Sequence, residues 1–106
     1  MKIYISGPIT GEPDFIKHFS EAERKLKGKG YQVLNPIVWA KEGLKLEYDE
    51  YMTLDLAMLS ICDAIYMLPG WANSKGAKTE LNFAADKKIR IYYADQTVPR
   101  VYKIKK

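Results

Sequence analysis

Two acidic side chains stand where helical periodicity asks for apolar ones. Projected at about 100° per residue, the pattern from Tyr48 to Ile61 puts Tyr48, Met52, Leu59 and Cys62 on one stripe. Tyr51 and Met58 flank that stripe, and Asp55 falls inside it. In the pattern from about Lys75 to Asp86, Ala77, Leu81 and Ala84 face inward and Glu80 projects beside them. A carboxylate on a buried face must be paired or lie at the edge of a cavity, because stranding it costs several kcal/mol. An inward aspartate and glutamate on consecutive helices suit glycosidic-bond chemistry, where one carboxylate attacks and the other carries a proton. The plain structural alternatives are a tyrosine or backbone N–H partner for Asp55 and a lysine partner for Glu80. Magnesium is the weaker option, since the single histidine, His18, lies on a helix surface. No metal and no cofactor is expected.

The stretch that must position Glu80 runs from Pro69 to Leu81 and carries Gly70, Trp71, Asn73, Ser74 and Gly76. It follows the most apolar run of the chain, Ala64 to Leu68, and leads into a helix. A strand, a turn bearing Gly and Ser, and a helix N-terminus form an anion-binding arrangement. Helical side chains lean toward the N-terminus, so Glu80 is expected to reach its own Gly-rich turn. Ser74 suits the N-cap, and an N-cap hydroxyl is also placed to meet a phosphate. Trp71 reads either as a lid over a base or as an interface anchor. Trp39 either lines the crevice or simply packs, and Tyr4, Tyr66 and Tyr92 read as core. A second loop, Ser6-Gly7-Pro8-Ile9-Thr10-Gly11, follows the first strand. Its glycines, like Gly70 and Gly76, serve either a turn or close approach to a ligand.

The elements alternate. Residues 2–6 read as a strand. A helix follows, with Pro13 and Asp14 at its start, Phe15, Phe19, Ala22 and Leu26 on its buried stripe, and Gly28 and Gly30 at its end. Residues 31–34 form a second strand stopped by Asn35-Pro36, and 37–47 read as a loop or a short irregular helix. The Tyr48 helix, the 64–68 strand, the Lys75 helix and an 89–93 strand complete the order, with a possible edge strand at 101–104. Such alternation implies one α/β domain over 1–106, a three-layer Rossmann-like or flavodoxin-like fold with a four- to five-stranded, mostly parallel sheet. Ligands of such sheets sit at the carboxyl ends of the strands, where both loops gather.

Composition narrows the partners. The chain has 106 residues, 47% of them hydrophobic and 28% charged, and no apolar run long enough for a transmembrane helix or a signal peptide. No membrane association is expected. The lone Cys62 cannot form an internal disulfide, which fits a reducing, cytoplasmic setting. The net charge of +4 comes from scattered lysines and arginines. With no recognition motif among them, nucleic acid is not expected as a partner, while attraction of small anions is compatible.

Three blocks resemble the nucleoside 2-deoxyribosyltransferase-like superfamily, including the 2′-deoxynucleoside 5′-phosphate N-hydrolases and a small branch of phage and bacterial domains. They are Tyr4 to Gly11, Asp55 with Cys62-Asp63-Ala64, and Ser74 to Leu81. The resemblance implies that Glu80 attacks the anomeric carbon of a deoxyribose, and that Asp55 is the general acid/base or a ribose-binding partner. It implies a nucleoside or nucleotide substrate contacted by Ser6, Gly7, Ile9, Thr10, Gly11, Trp71, Asn73, Ser74 and Gly76. Ser74 chooses the substrate on this view: the nucleotide hydrolases have serine there, the transferases tend to aspartate, and serine does not repel a phosphate dianion. A homo-oligomer, dimer or higher, is implied too. Asn82 departs from the glycine common two residues after the nucleophile.

Overall fold

Four parallel strands in the order β2-β1-β3-β4 form the sheet. The structure, a computed structural model, describes residues 1–94. The strands are β1 (Lys2–Ser6), β2 (Gln32–Leu34), β3 (Ala64–Met67) and β4 (Arg90–Tyr93). The helices are α1 (Phe15–Gly28), α2 (Val38–Lys41), α3 (Tyr48–Ser60) and α4 (Lys75–Asp86), with a 3-10 turn at Trp71–Asn73. This is the expected α/β architecture, and the strand order is that of flavodoxin-like sheets. The expected edge strand at 101–104 lies outside the described residues. No helix among those described is long and apolar enough to cross a membrane.

Strand alternation sorts the core into two layers. Ile3, Ile5, Ala64 and Leu68 pack with Phe19, Ala22 and Leu26 of α1. Tyr4, Ile65, Met67 and Ile91 pack with Leu59 of α3 and Ala77, Leu81 and Ala84 of α4. Because side chains alternate, Tyr4 and Ser6 share the face that α4 covers. On the other face Tyr92 of β4 is 41% exposed, contrary to its reading as core. Tyr66 on the neighbouring strand is half-buried.

The helix starts follow local chemistry. Ser74 Oγ accepts from the Ala77 N–H at 3.2 Å and caps α4. Glu50 accepts from the Glu47 N–H at 2.8 Å, which fixes the first turn of α3. The stretch at 37–47 is mostly irregular, as the weak periodicity implies, with the four-residue α2 inside it.

The two loops beyond the sheet are locked together. A methyl group added to Gly7 would sit 2.8 Å from Leu68 Cβ, so the backbone after β1 passes against β3 where no side chain fits.

Candidate active site

A cavity of about 270 Å³ opens at the carboxyl ends of β1 and β3, just below the usual range of roughly 300–1,000 Å³ for small-molecule sites. Its wall takes Gly7, Ile9 and Thr10 from the first loop, and Ser74, Gly76 and Glu80 from α4 and its cap. Tyr48, Tyr51, Met52 and Asp55 come from α3, with Trp39 from α2. The N-terminal half of the α3 stripe thus faces the cavity rather than the core, which is why Tyr48 is exposed although it lies on the apolar side. Phe15, expected on the buried stripe of α1, is likewise half-buried on this wall.

Glu80 is 5% exposed, and hydroxyl groups grip both its oxygens. Tyr4 Oη donates to Oε2 at 2.7 Å and Ser6 Oγ donates to Oε1 at 2.6 Å. The carboxylate therefore reaches back to β1, rather than only to its own turn. Burial still dominates its ionisation and pushes the pKa up to about 7; the Ser6 and Tyr4 donors pull it down, and the nearby Asp55 adds to the rise. Tyr4 itself is held well above the ordinary phenol range, first by burial and then by the charge of Glu80. It stays a donor.

Asp55 is 7% exposed. Trp39 Nε1 donates to its Oδ1 at 3.1 Å. Burial raises Asp55 to about 6, against the indole bond and the bond to Glu80, both of which favour its ionised form. Two carboxyls that sense each other titrate as a pair. Burial raises both, and the hydrogen bond between them pulls Asp55 down while it pushes Glu80 up.

Several expected contacts sit elsewhere. Ser6 is fully buried under Glu80 and is absent from the cavity wall. Trp71, read as a lid or an anchor, is 3% exposed and belongs to the core beneath α4. Its ring lies 5.6 Å from that of Tyr93. Asn73 is exposed and opens on a separate groove with Pro8 and Tyr66. Gly11 is an exposed turn residue with φ of 77° off the cavity wall, where glycine relieves strain. Conversely, Tyr4 and Trp39 hold the two carboxyls and were not singled out for that. The i, i+2 spacing of Tyr4 and Ser6 on a strand was the available signal for the first; the second had none.

The other polar features fit an anionic ligand. Ser74 uses its oxygen as acceptor in the cap, which leaves its hydroxyl hydrogen to donate. Lys75 Nζ lies 5.1 Å from the centre of the Tyr48 ring at the start of α4. Among the described residues no group of three or more His, Cys, Asp or Glu is placed to hold a metal ion.

A family model described as "Domain of unknown function (DUF4406)" matches residues 1–93. The chain belongs to that family. No curated protein sequence matches this DUF4406 chain, but solved structures do. It is similar to a 2-deoxyribosyltransferase of Leishmania mexicana, 25% identical, with a TM-score of 0.68 over 96% of this chain and 69% of that one. It is also similar to the 2-deoxyribosyltransferase of Bacillus psychrosaccharolyticus, at 17% identity and a TM-score of 0.69 over 95% and 78% of the two chains. The CMP N-glycosidase BcmB of Clostridium botulinum matches at 19% identity and a TM-score of 0.65, over 88% of this chain and 70% of that one. The DUF4406 chain thus has the fold of the nucleoside 2-deoxyribosyltransferase-like superfamily.

Proposed function

We propose that the chain is an enzyme that cleaves the N-glycosidic bond of a 2′-deoxynucleoside or its 5′-monophosphate. Glu80 is the nucleophile and Asp55 the proton carrier. Glu80 attacks C1′ of the sugar, the C1′–N bond breaks, and its electron pair leaves with the base, which takes a proton from Asp55. A glycosyl ester on Glu80 results. Water or a second base then attacks C1′, Asp55 recovers a proton from it, and the Glu80 carboxylate is released.

The observation that carries this reading is the paired burial of Glu80 and Asp55 on one cavity wall, with donors on both Glu80 oxygens. Two donors favour the ionised form that a nucleophile needs. Burial makes Glu80 the carboxyl that keeps its proton longer in the empty site, so the reactive state needs that proton passed to Asp55, with which Glu80 shares a hydrogen bond. The likeness to enzymes acting on nucleosides and nucleotides supports the same chemistry.

Ser74, Gly76, Gly7, Ile9 and Thr10 form the substrate wall on this proposal, with the Ser74 hydroxyl and the α4 N-terminus directed at the 5′ end of the sugar. A cytoplasmic setting and a homo-oligomer belong to the same proposal. The test is a panel of deoxynucleosides and deoxynucleotides, with and without an acceptor base, read for free base by chromatography. Base release that disappears in Glu80→Ala supports the reading. Nucleotide binding without base release over hours marks a non-catalytic nucleotide-binding module instead.

A further inference from the structure

Trp39 has two kinds of contact that a packing residue does not need. Its indole N–H is spent on Asp55 Oδ1, while it also stands on the cavity wall. The segment that carries it has little structure of its own: one four-residue helix within residues 37–47. Two side chains of α3, one turn apart, tie that segment down. Tyr51 Oη donates to the Leu44 carbonyl at 2.8 Å, and Asp55 accepts from Trp39. The cavity wall formed by α2 is therefore fastened to α3 partly through the carboxylate proposed to move the proton.

We infer that Trp39 is a positioning residue for Asp55: its indole N–H fixes the carboxyl rotamer by holding Oδ1. This rests on the glycosidic function proposed above. An aspartate carboxyl turns about a broad sp³–sp² torsion, so without a fixed donor neither oxygen has a set place. Indole is a donor only, which settles the direction of the bond. It keeps an acceptor function on Oδ1 whether or not Oδ2 carries a proton. Glu80 meets the same carboxyl from α4, so Asp55 is held between the indole and the second carboxyl. The groups facing Asp55 are Glu80 from α4, Tyr4 from β1 and Trp39 from α2, and among the described residues no lysine or arginine lines the cavity.

Trp39→Phe keeps an aromatic ring on the wall and deletes the donor. The expected result is a fall in kcat of about tenfold, the equivalent of one modest hydrogen bond, with KM changed much less. The pH profile moves upward, because Asp55 loses a group that favours its ionised form. Trp39→His, which can present a ring N–H again, recovers part of the loss. Unchanged kcat and pH limbs in Trp39→Phe would overturn the inference.

A second readout needs no turnover. With 5-fluorotryptophan in both tryptophans, the ¹⁹F resonance of Trp39 titrates together with Asp55, and that step is absent in Asp55→Asn while the Trp71 resonance stays in place. A Trp39 signal indifferent to Asp55→Asn contradicts the inference even in a protein that releases base. If the titration is present and the wild-type protein releases no base, the positioning stands and the proposed reaction fails.

Discussion

Ser6 gives its hydroxyl hydrogen to Glu80 Oε1 across 2.6 Å, from a position with no solvent exposure. The serine that a loop motif offers as a substrate contact is buried against the proposed nucleophile. It competes directly with burial, which drives Glu80 up to about 7. Removing it should therefore act on ionisation before it acts on binding. Ser6→Ala is expected to shift the pH at which Glu80 ionises upward and to lower kcat at neutral pH by about tenfold, for a charged hydrogen bond worth roughly 1.5–3 kcal/mol. The pH–rate profile checks this; a change confined to KM would mean that Ser6 touches substrate after all.

The pair predicts a bell-shaped pH dependence of kcat/KM. Catalysis needs one proton on the two carboxyls, and burial raises both toward neutral pH, Asp55 to about 6 and Glu80 to about 7. The macroscopic limbs belong to the pair: burial and Asp55 keep the proton on Glu80, and Tyr4 and Ser6 work against them. Asp55→Asn should remove one limb along with most of the rate. A flat profile from pH 5 to 8 would exclude proton sharing between them.

Stability should carry the opposite imprint. The folded pKa of Glu80 is raised from 4.5 to about 7, so its contribution to stability is full below about 4.5 and lost as pH rises through about 7. Glu80→Gln removes the titration. Relative to wild type, it should gain on the order of 2 kcal/mol at pH 8 and nothing comparable at pH 4. Thermal melts at the two pH values read this as a Tm difference of several degrees. Equal offsets at both would show that Glu80 is not held against its burial penalty.

Ser74→Asp separates the two substrate classes. Aspartate caps a helix as well as serine does, so the fold and Tm should be kept. Its charge on the cavity wall repels a phosphate dianion and removes the hydroxyl donor. Turnover of 5′-monophosphates should fall at least tenfold more than that of the free nucleosides, measured as the ratio of kcat/KM values. An unchanged ratio would remove Ser74 from the 5′ site.

How much of this was legible in the sequence differs from element to element. Asp55 and Glu80 broke a 3.6-residue pattern inside long helices, where periodicity is strong, and both are buried on the site as that break implies. Ser74 carried a helix-start signal that the cap confirms. Tyr4 was rightly placed in the core, yet its hydroxyl belongs to the site; period-2 alternation from Ser6 held that information. Trp39 left no such trace, because a four-residue helix has no periodicity to project. Trp71 and Tyr92 went astray for tertiary reasons. A loop position does not say whether its side chain turns under the next helix, and a strand pattern does not say which of its faces a helix covers.

Covalent catalysis by Glu80 is tested most directly by trapping. The protein would be incubated with a 2′-deoxy-2′-fluoro-arabinonucleotide or nucleoside, whose fluorine slows loss of the sugar from the ester, and examined by intact-mass and peptide mass spectrometry. The expected result is a single fluorosugar or fluorosugar-phosphate adduct on the peptide containing Glu80, formed with release of one base and absent in Glu80→Gln. Base release by the wild-type protein with no adduct, or an adduct that persists in Glu80→Gln, would contradict Glu80 as the nucleophile.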